Sequence, residues 1–272
     1  MKSIIEIHNL RKFLRDRFVL DGINLEIHES ETFVLLGQSG TGKSVLLKHI
    51  IGLMQADSGT LFINGHDMTN ASETEWRNIR KNIGMLFQSG AIFDSLTVGQ
   101  NLLFVLDHLM PHMSYPEKEE RVSYCLKVVG LEGLENIMPA ELSGGMRKRA
   151  ALARTIATKP DIILFDEPTT GLDPIMTAVV DDLILDVKKE LGTTFIVVTH
   201  DMASAMRVGD RLALLYKGQI KFLGTKQEVE NTDNPYMVQF MNGDSKGPMT
   251  ENQIVGDTTW LPLKEKNPIT QQ

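Results

Sequence analysis

Four short runs of consecutive apolar residues punctuate the chain: TFVLLG ending at Gly37, IGMLFQ ending at Gln88, IILFD ending at Asp166 and TFIVVTH ending at His200. An alternating strand leaves one face for water, whereas an uninterrupted apolar run suits a strand whose sheet is covered on both faces. With helical stretches between them, the runs predict a parallel sheet sandwiched by helices, whose ligands collect at the carboxyl ends of the strands. Each run ends on a residue able to meet a nucleotide or its metal. A different pattern comes first: SIIEIHNL and FVLDGINLEIH alternate apolar and polar positions, as half-exposed antiparallel strands do, and TLFING from Thr60 is placed with them.

Between Gln88 and Pro160 the period lengthens. Val98, Leu102, Leu103, Val105, Leu106 and Leu109 recur at helical spacing, and YPEKEERVSYCLKVVG follows with Pro116 near its start and Gly130 past its end. This predicts a helical subdomain over about residues 89–160, inserted in the sheet. From about Asp233 the chain turns polar. Its composition suits disorder, while Trp260, Leu261 and Leu263 argue for docking, and docking is expected at least for Tyr236 to Phe240. The expected division is one domain over 1–232 and an extension over 233–272, partly docked or disordered.

Composition narrows the choices. At 272 residues and 42% hydrophobic content the chain can bury a full core. A net charge of −7 supplies no basic field for a polyanion, so no nucleic-acid partner is expected. The single cysteine, Cys125, excludes intrachain disulfides and zinc sites built from several cysteines. No run of 18 apolar residues occurs, and MKSIIEIHNL lacks the apolar core of a secretion signal. The expected location is cytoplasmic, with a membrane reached only through a partner.

GQSGTGKS, from Gly37 to Ser44, lies between the first apolar run and the helix SVLLKHIIGL, which is the context a phosphate-binding loop requires. The backbone N–H groups of Gly37, Gln38, Ser39, Gly40, Thr41 and Gly42 can close around phosphates, and the helix N-terminus favours the anion. Lys43 can reach the β and γ oxygens, and Ser44 can ligate Mg²⁺. Asp166, at a buried strand end, suits a Mg²⁺ ligand acting through water, and Glu167 is placed to orient the attacking water. ELSGGMRKRAALAR poses a puzzle. Its helix opens on Ser143, Gly144 and Gly145 and then carries Arg147, Lys148 and Arg149 in the first turn, where the helix dipole makes each cation unfavourable by roughly 0.3–1 kcal/mol.

GQSGTGKS, Gln88, LSGGM, IILFDE, GLDP and His200 occur in the order and approximate spacing of an ATP-binding-cassette (ABC) ATPase, and the resemblance covers roughly residues 1–225. It implies an α/β phosphate-loop fold with a mostly parallel sheet core, an antiparallel β subdomain and an inserted helical subdomain. It also implies ATP and Mg²⁺ as cofactors and a homodimer packed head to tail, with each ATP between the phosphate loop of one subunit and the LSGG element of the other. Ser143, Gly144 and Gly145 would then face the γ-phosphate bound by the twin. The nearby cations could add to that field, although Lys148 and Arg149 equally suit a solvated face or salt bridges to acids. Gln88 resembles the residue that senses Mg²⁺ and the lytic water and links to the permease, giving Ser44, Gln88 and Asp166 as the metal set. Asp173 resembles the residue that couples the two sites, and His200 the switch histidine on the γ-phosphate. Two positions depart from the pattern: Met146 replaces the usual Gln, and the usual adenine-stacking aromatic position falls on Leu14, so that Phe13 is chosen, with Phe18 close by.

Only about 100 positions separate Gly42 from Leu142, which leaves no room for the coiled coil of chromosome-organising members. One cysteine and one cassette set aside the excision-repair and tandem translation-factor members, leaving a transporter subunit. MLFQSGAIFDSLTV, ELSGGMRKRAALARTIA and the tail segment VQFMNGDSKGP resemble the ATPases of the Mla phospholipid-transport family, which serve MCE-domain lipid carriers. That resemblance implies a membrane permease (MlaE-like), a periplasmic MCE lipid-binding protein (MlaD-like) and a small STAS-domain protein (MlaB-like), with the ATPase on the cytoplasmic face of the bacterial inner membrane. A transporter of another solute, or a nucleotide-dependent regulatory module of low turnover, are the other readings.

Overall fold

The computed structural model describes residues 2–88 and 90–250. The alternating N-terminal segments become β1 (Ser3–Leu14) and β2 (Arg17–His28), paired antiparallel from Leu14 opposite Arg17. Arg15 and Asp16 both take positive φ, 47° and 75°, as a two-residue hairpin turn demands if its twist is to match the strands. β3 (Thr32–Leu36) leaves for the second sheet, while β4 (Ser58–Ile63) and β5 (His66–Asp67) complete the first in the order β2-β1-β4-β5.

The second sheet has six strands in the order β10-β9-β3-β8-β7-β6. β6 (Ile83–Leu86), β7 (Ile162–Asp166), β8 (Thr194–Thr199), β3 and β9 (Arg211–Tyr216) run parallel, and β10 (Gln219–Thr225) closes the edge antiparallel. The four apolar runs are the four adjacent strands β3, β8, β7 and β6, the last at the sheet edge, and each stops one or two residues before the end read from the sequence, except β7, which includes Asp166. The strand pleat divides their side chains between two cores. Val34, Leu36, Ile163, Phe165, Phe195 and Val197 join the helices, while Phe33, Leu35, Ile162, Leu164, Ile196 and Val198 join the antiparallel sheet and α1 (Lys43–Ile50). Burial on both faces is what the unbroken apolar composition requires.

α2 (Glu73–Arg80) precedes β6, and the helical insertion follows it: α3 (Val98–Leu109), α4 (Tyr115–Val128) and α5 (Gly144–Ile156). Val98, Leu102 and Leu106 of α3 meet Val122, Cys125 and Leu126 of α4 in one core, and Thr97 and Gln100 form a reciprocal capping box at the start of α3. α6 (Pro174–Leu191) and α7 (Met202–Val208) flank β8 in the chain. After β10 come α8 (Lys226–Glu230) and α9 (Pro235–Asn242). Tyr236 to Phe240 lies in α9, where Met237 is fully buried and the Tyr236 ring stands 5.7 Å from Tyr216. The Tyr216 hydroxyl donates to the Met249 carbonyl, and Gln239 accepts from the Met249 N–H, so packing continues across residue 232. Trp260, Leu261 and Leu263 lie outside the described residues.

Candidate functional site

The loop between β3 and α1 is shaped by its glycines. Gly42 takes φ 108° as the residue capping α1, and a Cβ there would sit 2.7 Å from the Val19 carbonyl, so no other residue fits. Lys43 is nearly enclosed. Its ammonium donates to the carbonyls of Gly37 (2.7 Å) and Gln38 (2.9 Å) and stands 3.4 Å from Glu167 Oε1. Burial pulls its pKa below the ordinary lysine value, with the Glu167 and Asp166 charges acting the other way. The Ser44 hydroxyl donates to Asp166 Oδ1 at 2.9 Å. Burial pushes the Asp166 carboxyl up, against the Ser44 hydrogen bond and with the help of the adjoining Glu167 charge.

Glu167 breaks from the strand at φ 52°, a left-handed conformation uncommon for glutamate, and its N–H donates to the Val198 carbonyl on β8. Its carboxylate accepts from the Thr170 hydroxyl at 2.7 Å and lies 3.3 Å from His200 Nδ1. Burial works to raise its pKa, but Thr170, Lys43 and His200 together outweigh it and hold the carboxyl below the ordinary value. His200, just past β8, is half exposed. Gln88, just past β6, is exposed and lines one cleft with Ser39, Gly40, Gly42, Lys43, Ser44, Asp166 and Glu167. A groove beside it is lined by Arg17, Phe18, Gln38, Thr41 and Lys217 among others. The structure therefore gathers the phosphate loop, both acids, Gln88 and His200 at the carboxyl ends of β3, β6, β7 and β8. Phe13 sits differently. It forms an edge-to-face pair with Phe18, ring centres 5.2 Å apart, and it is Phe18 whose ring lines the groove.

Ser143 caps α5, its Oγ accepting from the Met146 N–H, and Ser143 and Gly144 are exposed. Neither lines the cleft of its own chain. Gly145 packs on Met176, whose Cε lies 2.7 Å from where a Cβ would stand. Asp173 caps α6, accepting from the N–H groups of Ile175 and Met176. Two of the three cations after Gly145, Arg147 and Lys148, have partners within the chain. Arg147 donates to the Pro139 carbonyl and to Asp94. Lys148 is part-buried, and its Nζ donates to the backbone carbonyls of Pro168 at 2.6 Å and Thr170 at 3.2 Å rather than to an acid. Sequence reasoning missed Thr170 and the carbonyl partners of Lys148. A hydroxyl three residues after a carboxylate is a readable local hint for the first, whereas nothing local marks the second.

Among the described residues no group of three or more His, Cys, Asp or Glu could cage a metal. The Ser44 hydroxyl and the Asp166 carboxylate instead fit a hard cation that draws its other ligands from phosphate and water. No helix among the described residues is long and apolar enough to cross a membrane.

Residues 20–170 match the family model described as ABC transporter. Over 250 residues the chain is 38% identical to the intermembrane phospholipid transport system ATP-binding protein MlaF of Haemophilus influenzae, covering 91% of this chain and 94% of that protein. Over 257 residues it is 40% identical to the probable ribonucleotide transport ATP-binding protein mkl of Mycobacterium tuberculosis, covering 94% and 71%. Among solved structures it resembles the dimeric post-hydrolysis state of the ATP-binding cassette MJ0796 bound to ADP and Pi, with a TM-score of 0.74 and 32% identity over 82% of this chain and 98% of that one.

Proposed function

The chain belongs to the ABC transporter family of ATPases, and from that premise we propose that it is the ATP-hydrolysing subunit of a phospholipid transporter of the bacterial envelope. The arrangement around Glu167 carries the enzymatic part: an ionised carboxylate, one residue past Asp166 on a strained backbone, held among Lys43, Thr170 and His200. The phosphate loop and Lys43 hold the β- and γ-phosphates of ATP. Phe18 lies along the adenine groove with Phe13 against its edge. Glu167 orients a water and takes its proton as the water oxygen bonds to the γ-phosphorus and the bond to the ADP oxygen breaks, with His200 beside the departing phosphoryl group. Ser44 and Asp166, with Gln88 at hand, would hold Mg²⁺, which would supply charge neutralisation for the phosphates.

Ser143 and Gly144 are exposed, do not line their own cleft and suit the nucleotide of a twin, which supports a head-to-tail homodimer; the MJ0796 cassette is dimeric with ADP and Pi. Asp173, at the start of α6, is then placed to feel the twin. Near Gln88, the exposed Phe87, Phe93 and Phe104, the latter two edge to face at 4.9 Å, offer an apolar surface for the permease. Through the permease the subunit sits at the cytoplasmic face of the inner membrane. A periplasmic MCE protein and a STAS-domain protein complete the proposed assembly, and likeness to an intermembrane phospholipid transport ATPase over nearly its whole length supports it. The printed name of the mycobacterial relative favours a second reading, a ribonucleotide-like solute on the same engine.

Glu167→Gln tests the chemistry: it should bind ATP while turnover falls by about 10²–10⁴-fold. Undiminished hydrolysis would remove Glu167 from its role. Mass spectrometry of the complex extracted with its native membrane tests the substrate, with a permease, an MCE protein and phospholipid expected, and a different permease without lipid overturning the lipid assignment.

A further inference from the structure

The first turn of α5 is tied to the segment after Glu167 by two contacts that nucleotide binding by Ser143 and Gly144 does not require. Lys148 Nζ donates to the carbonyls of Pro168 and Thr170, and Met176 Cε fills the space left by the missing side chain of Gly145. Thr170 is the pivot. Its carbonyl accepts from Lys148 while its hydroxyl donates to Glu167 Oε2, so a shift of the backbone at 170 moves a hydrogen bond on the hydrolytic carboxylate. The cation is retained at a costly place, at the positive end of a helix and partly desolvated. Among the described residues no acid lies within ion-pair distance of it, and the two carbonyls are its protein partners.

We propose that Lys148 is a positioning residue for hydrolysis, which fixes Glu167 through the Pro168–Thr170 backbone and so joins the LSGG turn to the catalytic carboxylate of the same chain. The inference rests on the head-to-tail ATPase reading. In that dimer the LSGG turn touches the nucleotide held by the twin, whereas Glu167 acts on the nucleotide of its own phosphate loop. Lys148 therefore links the two ATP sites through a rigid path of three residues, and engagement of one nucleotide is felt at the carboxylate of the other.

A double-mutant cycle on kcat tests this in the full-length protein. Lys148→Met removes the donors at near-equal length, and Thr170→Val removes the hydroxyl while keeping the carbonyl. Each should lower kcat by about tenfold with KM for ATP changed by less than about twofold, and the double variant should fall no further than the worse single one. Lys148→Arg, which keeps the cationic donor, should recover most of the turnover. Independent losses that multiply in the double variant, or a Lys148→Met enzyme with wild-type kcat, would overturn the proposal. If Lys148→Met does not fold, Lys148→Gln takes its place in the cycle. Unsubstituted protein and Glu167→Gln assayed alongside separate the two levels: no turnover in the former defeats the ATPase reading, undiminished turnover in Glu167→Gln removes Glu167 from its role, and turnover lost in Glu167→Gln but kept in Lys148→Met defeats only the link.

Discussion

Glu167 is contacted by three groups from three parts of the chain, and their balance sets its charge. Burial favours the neutral acid, but the Thr170 hydroxyl, Lys43 and His200 favour the carboxylate and prevail. A carboxyl whose folded pKa lies below its unfolded value contributes stability above the unfolded value and loses it as pH falls through the folded one. The acid limb that Glu167 imposes on kcat is therefore expected below its ordinary value of 4.5, and a pH–rate profile, with Glu167→Gln as baseline, should show no loss from this group down to about pH 5. A limb at pH 6 that vanishes in Glu167→Gln would contradict this electrostatic picture. The phosphate loop and the two acids were legible because their chemistry lies in consecutive residues at a strand end. The ring beside the groove was not: whether Phe13 or Phe18 lines it depends on how the β1–β2 hairpin, with its register shifts, presents its end to the phosphate loop.

At the scale of elements, α5 is tied at both ends, by a side chain of its own at the start and by one from a neighbouring helix at the end. At its N-terminus Lys148 reaches the loop after β7. At its C-terminus the buried Arg121 of α4 donates to the carbonyls of Ile156 and Ala157, among the last groups of a helix that lack an internal partner. Arg121→Met keeps apolar bulk against Tyr124 and strands both carbonyls, so urea unfolding should show a loss of about 2–3 kcal/mol. A change under about 0.5 kcal/mol would mean that water replaces the guanidinium there. Asn101 does similar work one helix earlier: buried in α3, it bonds to Phe93 N–H and to the carbonyls of Phe93, Leu96 and Thr97, latching the segment after Gln88 onto the helical insertion. Helical periodicity located α3, α4 and α5 well because their apolar stripes face one shared core. It said nothing of Arg121 or Asn101, since a polar residue on a buried face is recognised only when its partners are known.

For the whole molecule, Ser143 and Gly144, exposed and outside their own cleft, are where the head-to-tail proposal is open to a direct test. Ser143→Arg should leave ATP affinity of the isolated subunit unchanged and abolish ATP-dependent dimerisation in a Glu167→Gln background, as read by size-exclusion chromatography with and without ATP. A variant that still dimerises with ATP would refute the shared site. The other end of the chain follows a different logic. α9 and residues up to Met249 pack on β9 and β10 through Met237, Tyr236 and Tyr216, so the polar composition beyond Asp233 conceals an apolar stripe one helix long.

The order of apolar runs, the phosphate loop, the paired acids and the LSGG turn are determined by the sequence alone, because each depends on neighbours within a few residues: strand pleat, helix period, backbone N–H groups around an anion. Tertiary structure alone decided the rest. It put Phe18 along the groove, gave Lys148 two carbonyls some twenty residues downstream, bound Thr170 to Glu167 and seated α9 on the sheet. These contacts join segments whose approach is set by how two sheets and a helical insertion pack. A cation at a helix start announces that it needs partners without saying which groups they are.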